Sequence, residues 1–237
     1  MAINVILGLM IIVAFLIAIV LHEFSHALMA RLLGDTTPAS EGRQSLSLRA
    51  HLDPLGTLLC VILAFQPLAA LPVGLGWGLP IKPDPWKMKV GPNIGVFIVA
   101  WAGLLSSLFI GLAVSVLMRF LPLQLAENVF GIRLFQFVMV FASVNICLAI
   151  FNLIPLYPLD GYHILYALLP SRQAVQFAKS APYGPLIILA IFFLLPFVSQ
   201  IAGGNSYLFD VPRYIMLGAL NLISLITGYD VSIFYIP

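Results

Sequence analysis

Two histidines and a glutamate, His22-Glu23-Phe24-Ser25-His26, stand near the end of an apolar run that begins about Val5. Imidazoles and carboxylates bind cations and move protons, and the spacing suits both tasks. On a helix, residues i and i+4 share a face about one turn apart. His22 and His26 can therefore turn a ring nitrogen each toward one ion. Glu23, next to the first of them, is placed to reach a water on that ion as general base. Zinc is the natural occupant, because it accepts imidazole and carboxylate and lowers the pKa of its water to about 7. The bland alternative is a pair of interfacial histidines and a snorkelling acid. It leaves uncompensated a carboxylate whose placement at membrane depth costs about 2.5–3.5 kcal/mol, a cost that metal binding offsets.

A catalytic zinc takes three protein ligands and keeps one position open. Of the nine acids, Asp35, Glu41, Asp53, Asp84, Glu127, Asp210 and Asp230 fall in polar connections or at their edges and read as solvated loop charges. Only Glu23 and Asp160 have extended apolar sequence on both sides, and an ionisable residue at membrane depth is a functional candidate. Asp160 lies in NLIPLYPLDGYHILYALLP, where Pro155 and Pro158 interrupt helical hydrogen bonding and Gly161 adds a flexible backbone. Irregular backbone at that depth is tolerated where it is buried in protein or lines a wet cavity. Asp160 is thus the candidate third ligand, with an ordinary helix-capping Asp as the competing reading and His163 as a rival ligand. Asn145 and Asn152 share a helix face at seven-residue spacing. Asn152 reads as a contact to the substrate or the site, Asn145 as an interhelical hydrogen bond.

These residues need a membrane scaffold to hold them. The chain has 237 residues, 62% hydrophobic and 8% charged, against about 25% charged in a soluble domain; its mean hydropathy is +1.08. A net charge of +2 is too small to suggest a nucleic-acid partner. Apolar runs of spanning length cover about Val5–Leu33, Ile94–Met118 and Leu134–Leu159, with shorter ones at Pro185–Ser199 and Tyr214–Thr227. The first has no basic n-region, so it reads as a retained helix rather than a signal peptide. A further run, Leu55–Val73, is short and broken by Gln66-Pro67. Cys60 and Cys147 sit in apolar runs and read as buried thiols. The expectation is an all-α membrane protein: a polytopic helix bundle of about five spanning helices plus one re-entrant segment. Residues 1–170 would form the core and 171–237 two C-terminal helices of the same domain.

Ligands must meet at one depth. If Leu55–Val73 crossed fully, the ends bearing His22/His26 and Asp160 would lie toward opposite faces of a hydrocarbon core about 30 Å thick. If it turns back, they meet. Charge agrees, because a re-entrant segment puts Arg31, Arg43, Arg49, Lys82, Lys87 and Lys89 on one side, which the positive-inside rule makes cytoplasmic. Alternating Leu46, Leu48 and Ala50 in SLSLRAH suggest a short membrane-associated β element that pairs with an unwound substrate. His51 and Asp53 read as positioning the re-entrant segment. Trp77, Trp86 and Lys87 read as interfacial anchors.

His22-Glu23-x-x-His26, with Asn152-x-x-Pro155 and Leu159-Asp160-Gly161, resembles the site-2 protease family of intramembrane zinc metalloproteases. HLDPLGTLL from His51 and GWGLPIKPDP from Gly76 resemble its small prokaryotic members. Where that family often carries A-G-P and then Asn, this chain reads Ala102-Gly103-Leu104 and then Ser106-Ser107. The resemblance implies a multi-pass protein of a prokaryotic cell membrane with its active site nearer the cytoplasm. His22, His26 and Asp160 would hold one Zn2+, Glu23 would activate water, and Asn152 would hold substrate or polarise the scissile carbonyl. The substrate would be a transmembrane or membrane-anchored peptide in the lipid bilayer. A non-catalytic zinc-binding scaffold and a metal-ion transporter are the alternatives.

Overall fold

A computed structural model describes residues 5–65, 72–121, 128–202, 210–228 and 230–231. Three long helices make the centre: α1 (Val5–Leu32), α5 (Pro92–Arg119) and α6 (Val129–Asn152). Between α1 and α5 lie the single turns α2 (Thr37–Ser40) and α3 (Leu48–His51) and the short helix α4 (Pro54–Phe65). After α6 come α7 (Asp160–Leu168) and α8 (Ser171–Ala178). Then α9 (Gly184–Leu189) runs through a π-helical turn, Ala190–Leu194, into α10 (Leu195–Ile201), and α11 (Val211–Thr227) completes the order.

The long apolar runs become helices because a chain in lipid must satisfy its backbone polar groups internally. Four helical stretches are long and apolar enough to cross a membrane: Val5–Leu32, Pro92–Arg119, Val129–Asn152 and Ser171–Ser199 taken across its short breaks; α11 is shorter, at 17 residues. Their ends carry recognisable stops. Asn128 caps α6 by accepting from the Gly131 amide at 2.8 Å, and Pro92 opens α5, where its missing N–H costs nothing. Phe15, Leu59, Leu63, Phe135, Phe151 and Phe192 are fully buried where these elements meet.

Helix directions follow from side-chain pairs. His26 lies against Val99 and His22 against Ser107, so α1 and α5 run antiparallel. Gly111 abuts Ala142 and Ile146, while Val99 and Ala100 share a cavity with Asn152, so α5 and α6 are antiparallel as well. Therefore α1 and α6 are parallel, as a shared metal site requires.

The connection that permits this is re-entrant. The 12 residues of α4 span only about 18 Å. The Val73 amide donates back to the Leu63 carbonyl at 3.2 Å, and the Leu79 amide to the His51 carbonyl at 2.8 Å. An antiparallel bridge joins Leu52 to Gly78. The chain thus leaves and returns at the same level. Gln66 and Pro67, where the sequence breaks, lie outside the described residues. Asp53 caps α4, accepting from the Leu55 and Gly56 amides at 3.0 and 2.9 Å.

Three expectations are corrected. The β element expected at Ser45–His51 is absent among the described residues; Leu48–His51 is a helical turn and only the Leu52–Gly78 bridge is sheet-like. The cause is local. His51 Nε2 donates to the Ser45 carbonyl at 2.7 Å, and the buried Arg43 guanidinium donates to the Ala50 carbonyl and to the Leu79 carbonyl at 3.0 Å. These bonds fold the segment onto the returning chain, and its expected pairing with substrate loses its basis. Burial and the Arg43 charge hold the His51 imidazole below its ordinary range, so it serves there as a neutral donor. Trp77 is not an interfacial anchor; it is buried against the core, whereas Trp86 is exposed.

Asp35 and Asp210 are buried rather than solvated. Asp210 caps α11 by accepting from the Arg213 amide. Asp35 accepts from the Thr37 amide at 2.9 Å and the Asp84 amide at 2.7 Å, tying the end of α1 to the segment before α5. Replacing Asp35 by Ala strands two part-buried amide donors. The expected loss is about 1–3 kcal/mol, read as a lower midpoint of thermal unfolding in detergent; an unchanged midpoint overturns it.

Candidate metal centre

His22 and His26 project from α1 onto α5. The His26 Nδ1 atom lies 2.7 Å from the Val99 carbonyl oxygen. A carbonyl only accepts, so Nδ1 carries the proton and Nε2 presents its lone pair. His22 Nδ1 lies 2.9 Å from Ser107 Oγ, which leaves its Nε2 free in the same way when Nδ1 donates. Gly103 makes this close approach possible: a Cβ there would overlap the His26 ring.

Asp160 enters from the other side. The chain after α6 turns through hydrogen bonds from Leu156 to Ile154 and from Leu159 to Leu156, both 2.8 Å. Leu159, fully buried, anchors that turn, and α7 starts at Asp160. The capping reading of Asp160 fails here, because Leu159 occupies the cap position and no side chain caps this helix. The carboxylate faces the histidines instead: Oδ2 is 3.0 Å from His22 Nε2 and Oδ1 is 3.1 Å from His26 Nε2. The two Nε2 atoms are 3.2 Å apart.

This donor set fits a zinc ion. Bonds of about 2.0–2.1 Å in a tetrahedral arrangement separate neighbouring ligand atoms by about 3.3 Å; the two Nε2 atoms stand 3.2 Å apart, and each lies within 3.1 Å of a different Asp160 oxygen. Two imidazole lone pairs and a carboxylate are all acceptors, so their convergence needs a cation. Protons alone would serve poorly, since two imidazolium rings at this separation repel each other. Asp160 Oδ2 makes no hydrogen bond among the described residues.

Glu23 lies one residue past His22 and turns toward a cavity of about 40 Å³ that it lines together with His26, Asn152, Asp160 and His163. That volume admits more than one water. Glu23 Oε2 is buried without a hydrogen-bond partner among the described residues. Across the cavity runs the returning segment with Gly78, Pro80 and Ile81. A Cβ at Gly78 would overlap the Glu23 carboxylate, so this backbone lies directly against the acid. Arg43 holds the same segment through the Leu79 carbonyl.

His22, His26 and Asp160 are brought together, and Glu23 and Asn152 share their cavity. His163 lines the cavity without joining the three converging ligand atoms. Asn152 spends an amide hydrogen on the Leu148 carbonyl of its own helix at 3.0 Å. Asn145 does the same with Phe141 at 2.8 Å, so the interhelical bond expected of it is not formed by that amide group. Sequence reasoning missed the service of Ser107, Gly103 and the Val99 carbonyl to the histidines. The one available signal was the Gly103/Ser107 spacing of four within the charge-free run Ile94–Met118, which places both on one face. Groups that orient a metal-binding histidine are worth 10–100-fold in affinity. Ser107→Ala is therefore expected to weaken zinc binding by about tenfold or more, measured by competition with a chromogenic chelator; equal affinity would show that Ser107 does not orient His22.

Residues 91–195 match Peptidase family M50. That stretch holds Asn152, Asp160 and His163, with His22, Glu23 and His26 before it. The chain is also 32% identical over 184 residues to the "Putative zinc metalloprotease YwhC" of Bacillus subtilis (strain 168), covering 76% of this chain and 78% of that protein. No solved structure matches the chain.

Proposed function

The chain belongs to peptidase family M50, the site-2 protease family, and on that premise we propose that this multi-pass membrane protein is an intramembrane zinc endopeptidase acting on membrane-spanning or membrane-anchored peptides. The observation that carries the reading is the convergence of three acceptor atoms, from His22, His26 and Asp160, beside a buried carboxylate oxygen of Glu23 that no protein group engages among the described residues.

His22, His26 and Asp160 would hold the zinc. When bound, zinc supplies Lewis acidity and a water acidified to near neutrality. The rest of the reaction falls to the chain. Glu23 takes a proton from the attacking water and returns it to the amide nitrogen as the C–N bond breaks, so that water adds across the peptide bond and an acid and an amine leave. The Gly78–Ile81 backbone closes one side of the cavity and limits access by bulk water. Asn152 stands at the cavity wall, where its second amide hydrogen is available to a substrate carbonyl.

The six basic residues flanking α4 share one side of a re-entrant connection, and the positive-inside rule supports reading that side as cytoplasmic. The site, at the C-terminal ends of α1 and α6, lies toward it. A transporter reading finds little support, because Ser107 is taken by His22 and the Ser106 hydroxyl by the Gly103 carbonyl.

The test compares membranes from cells expressing wild type and Glu23→Gln, with the fragments mapped by mass spectrometry. Wild-type-specific cuts within or next to apolar segments are expected, lost on chelation and restored by zinc. Absence of such cuts while both proteins bind zinc equally would replace the protease reading with a zinc-binding scaffold.

A further inference from the structure

Among the described residues, His163 is the one titratable side chain on the cavity wall that neither the ligand set nor the base accounts for. It stands one turn after Asp160 on α7, so both side chains leave the same face of that helix. It lines the cavity together with Glu23 and Asn152, yet it is not one of the converging metal-binding atoms. Its ring is held by aromatic edges instead. The Tyr162 ring lies 5.3 Å away at 90°, and the Tyr157 ring 6.3 Å away at 68°. Tyr162 in turn stacks on Phe177 of α8, with centroids 4.7 Å apart. No hydrogen bond engages the His163 ring nitrogens among the described residues, and neither is an orphaned fully buried atom. A positioned imidazole with uncommitted ring nitrogens thus lines the cavity that Glu23 and Asp160 also line.

Peptide hydrolysis builds negative charge on the carbonyl oxygen, and a fixed hydrogen-bond donor aimed at that oxygen lowers the barrier. Asn152, the other neutral donor on the wall, already gives one amide hydrogen to the Leu148 carbonyl. Resting on the protease reading, we propose that His163 is a further catalytic residue, whose ring N–H donates to the scissile carbonyl oxygen as it becomes an oxyanion. The imidazole acts as a donor throughout and transfers no proton.

The test uses the full-length enzyme reconstituted in liposomes with a fluorogenic single-span peptide. His163→Leu is expected to lower kcat by about 100-fold or more, with KM changed less than threefold and zinc content unchanged. His163→Gln, which restores a neutral donor, is expected to recover at least tenfold of that loss, with the pH profile of kcat unaltered. Glu23→Gln runs beside them. If it is inactive while His163→Leu matches wild type, the protease reading stands and this inference falls. If wild type itself does not cleave, the protease reading falls first. Loss of zinc in His163→Leu would make His163 a ligand and overturn the proposal, as would equal kcat for the Leu and Gln variants.

Discussion

Glu23→Gln is expected to abolish peptide cleavage, by 10³-fold or more, while the protein keeps one zinc. General-base catalysis alone contributes about 10²–10⁴-fold, and the other basic group that α1 brings to this cavity, His26, belongs to the candidate ligand set. The replacement is nearly isosteric. It keeps the contact with Gly78 and leaves the His22, His26 and Asp160 atoms untouched. Gln cannot accept and return a proton at neutral pH, so chemistry is lost and binding is kept. Both readouts are needed: turnover on a single-span peptide in liposomes, and zinc per protein by elemental analysis. A variant retaining a tenth of wild-type turnover would remove Glu23 from the role of base. A variant that loses zinc would make Glu23 part of the metal site itself.

Asp160→Asn should fail in the opposite order, losing the metal first and activity as a consequence. The carboxylate lies 3.0 and 3.1 Å from the two imidazole Nε2 atoms, and it is the only negative charge in that cluster. Asn preserves shape but removes the charge that balances a dication in a buried site. A loss in zinc affinity above 100-fold is expected, equivalent to about 2.7 kcal/mol or more. Competition titration with a chelator measures it, and excess zinc should restore part of the turnover. Unchanged affinity would return Asp160 to the role of a structural helix-start residue. The pair of variants separates roles, since one is inactive with zinc and the other inactive for want of it.

The membrane class, the all-α bundle and the candidate cluster could be read because each rests on local rules, whereas about five spanning helices were expected and four stretches of spanning length are found among the described residues. Uninterrupted apolar length compels helices in lipid, and a spacing of four places His22 and His26 on one face. Asp160 was singled out by elimination, as the second of two acids flanked by apolar sequence, and it clusters with His22 and His26. The re-entrant connection followed from requiring the ligands to meet, and the Val73–Leu63 and Leu79–His51 hydrogen bonds place the returning chain beside the outgoing one.

What escaped the sequence depends on partners distant in the chain. SLSLRAH alternates like a strand, yet Arg43 and His51 capture the backbone carbonyls of Ala50, Leu79 and Ser45 and fold it otherwise. Asp35 sits in a polar connection, and its burial comes from an amide 49 positions away. Trp77 reads as an anchor until the return of the chain buries it. Ser107 carries no metal signature of its own; its role exists only because α5 runs antiparallel to α1 at a separation that Gly103 permits. By itself, then, the sequence determined the membrane class and singled out the candidate groups for metal binding and water activation, because those are written in apolar length, residue type and helical spacing. Only the tertiary structure decided how those groups are oriented, shielded and faced by further donors, because such contacts join α1, α5, α7 and the returning segment through packing that no local pattern encodes.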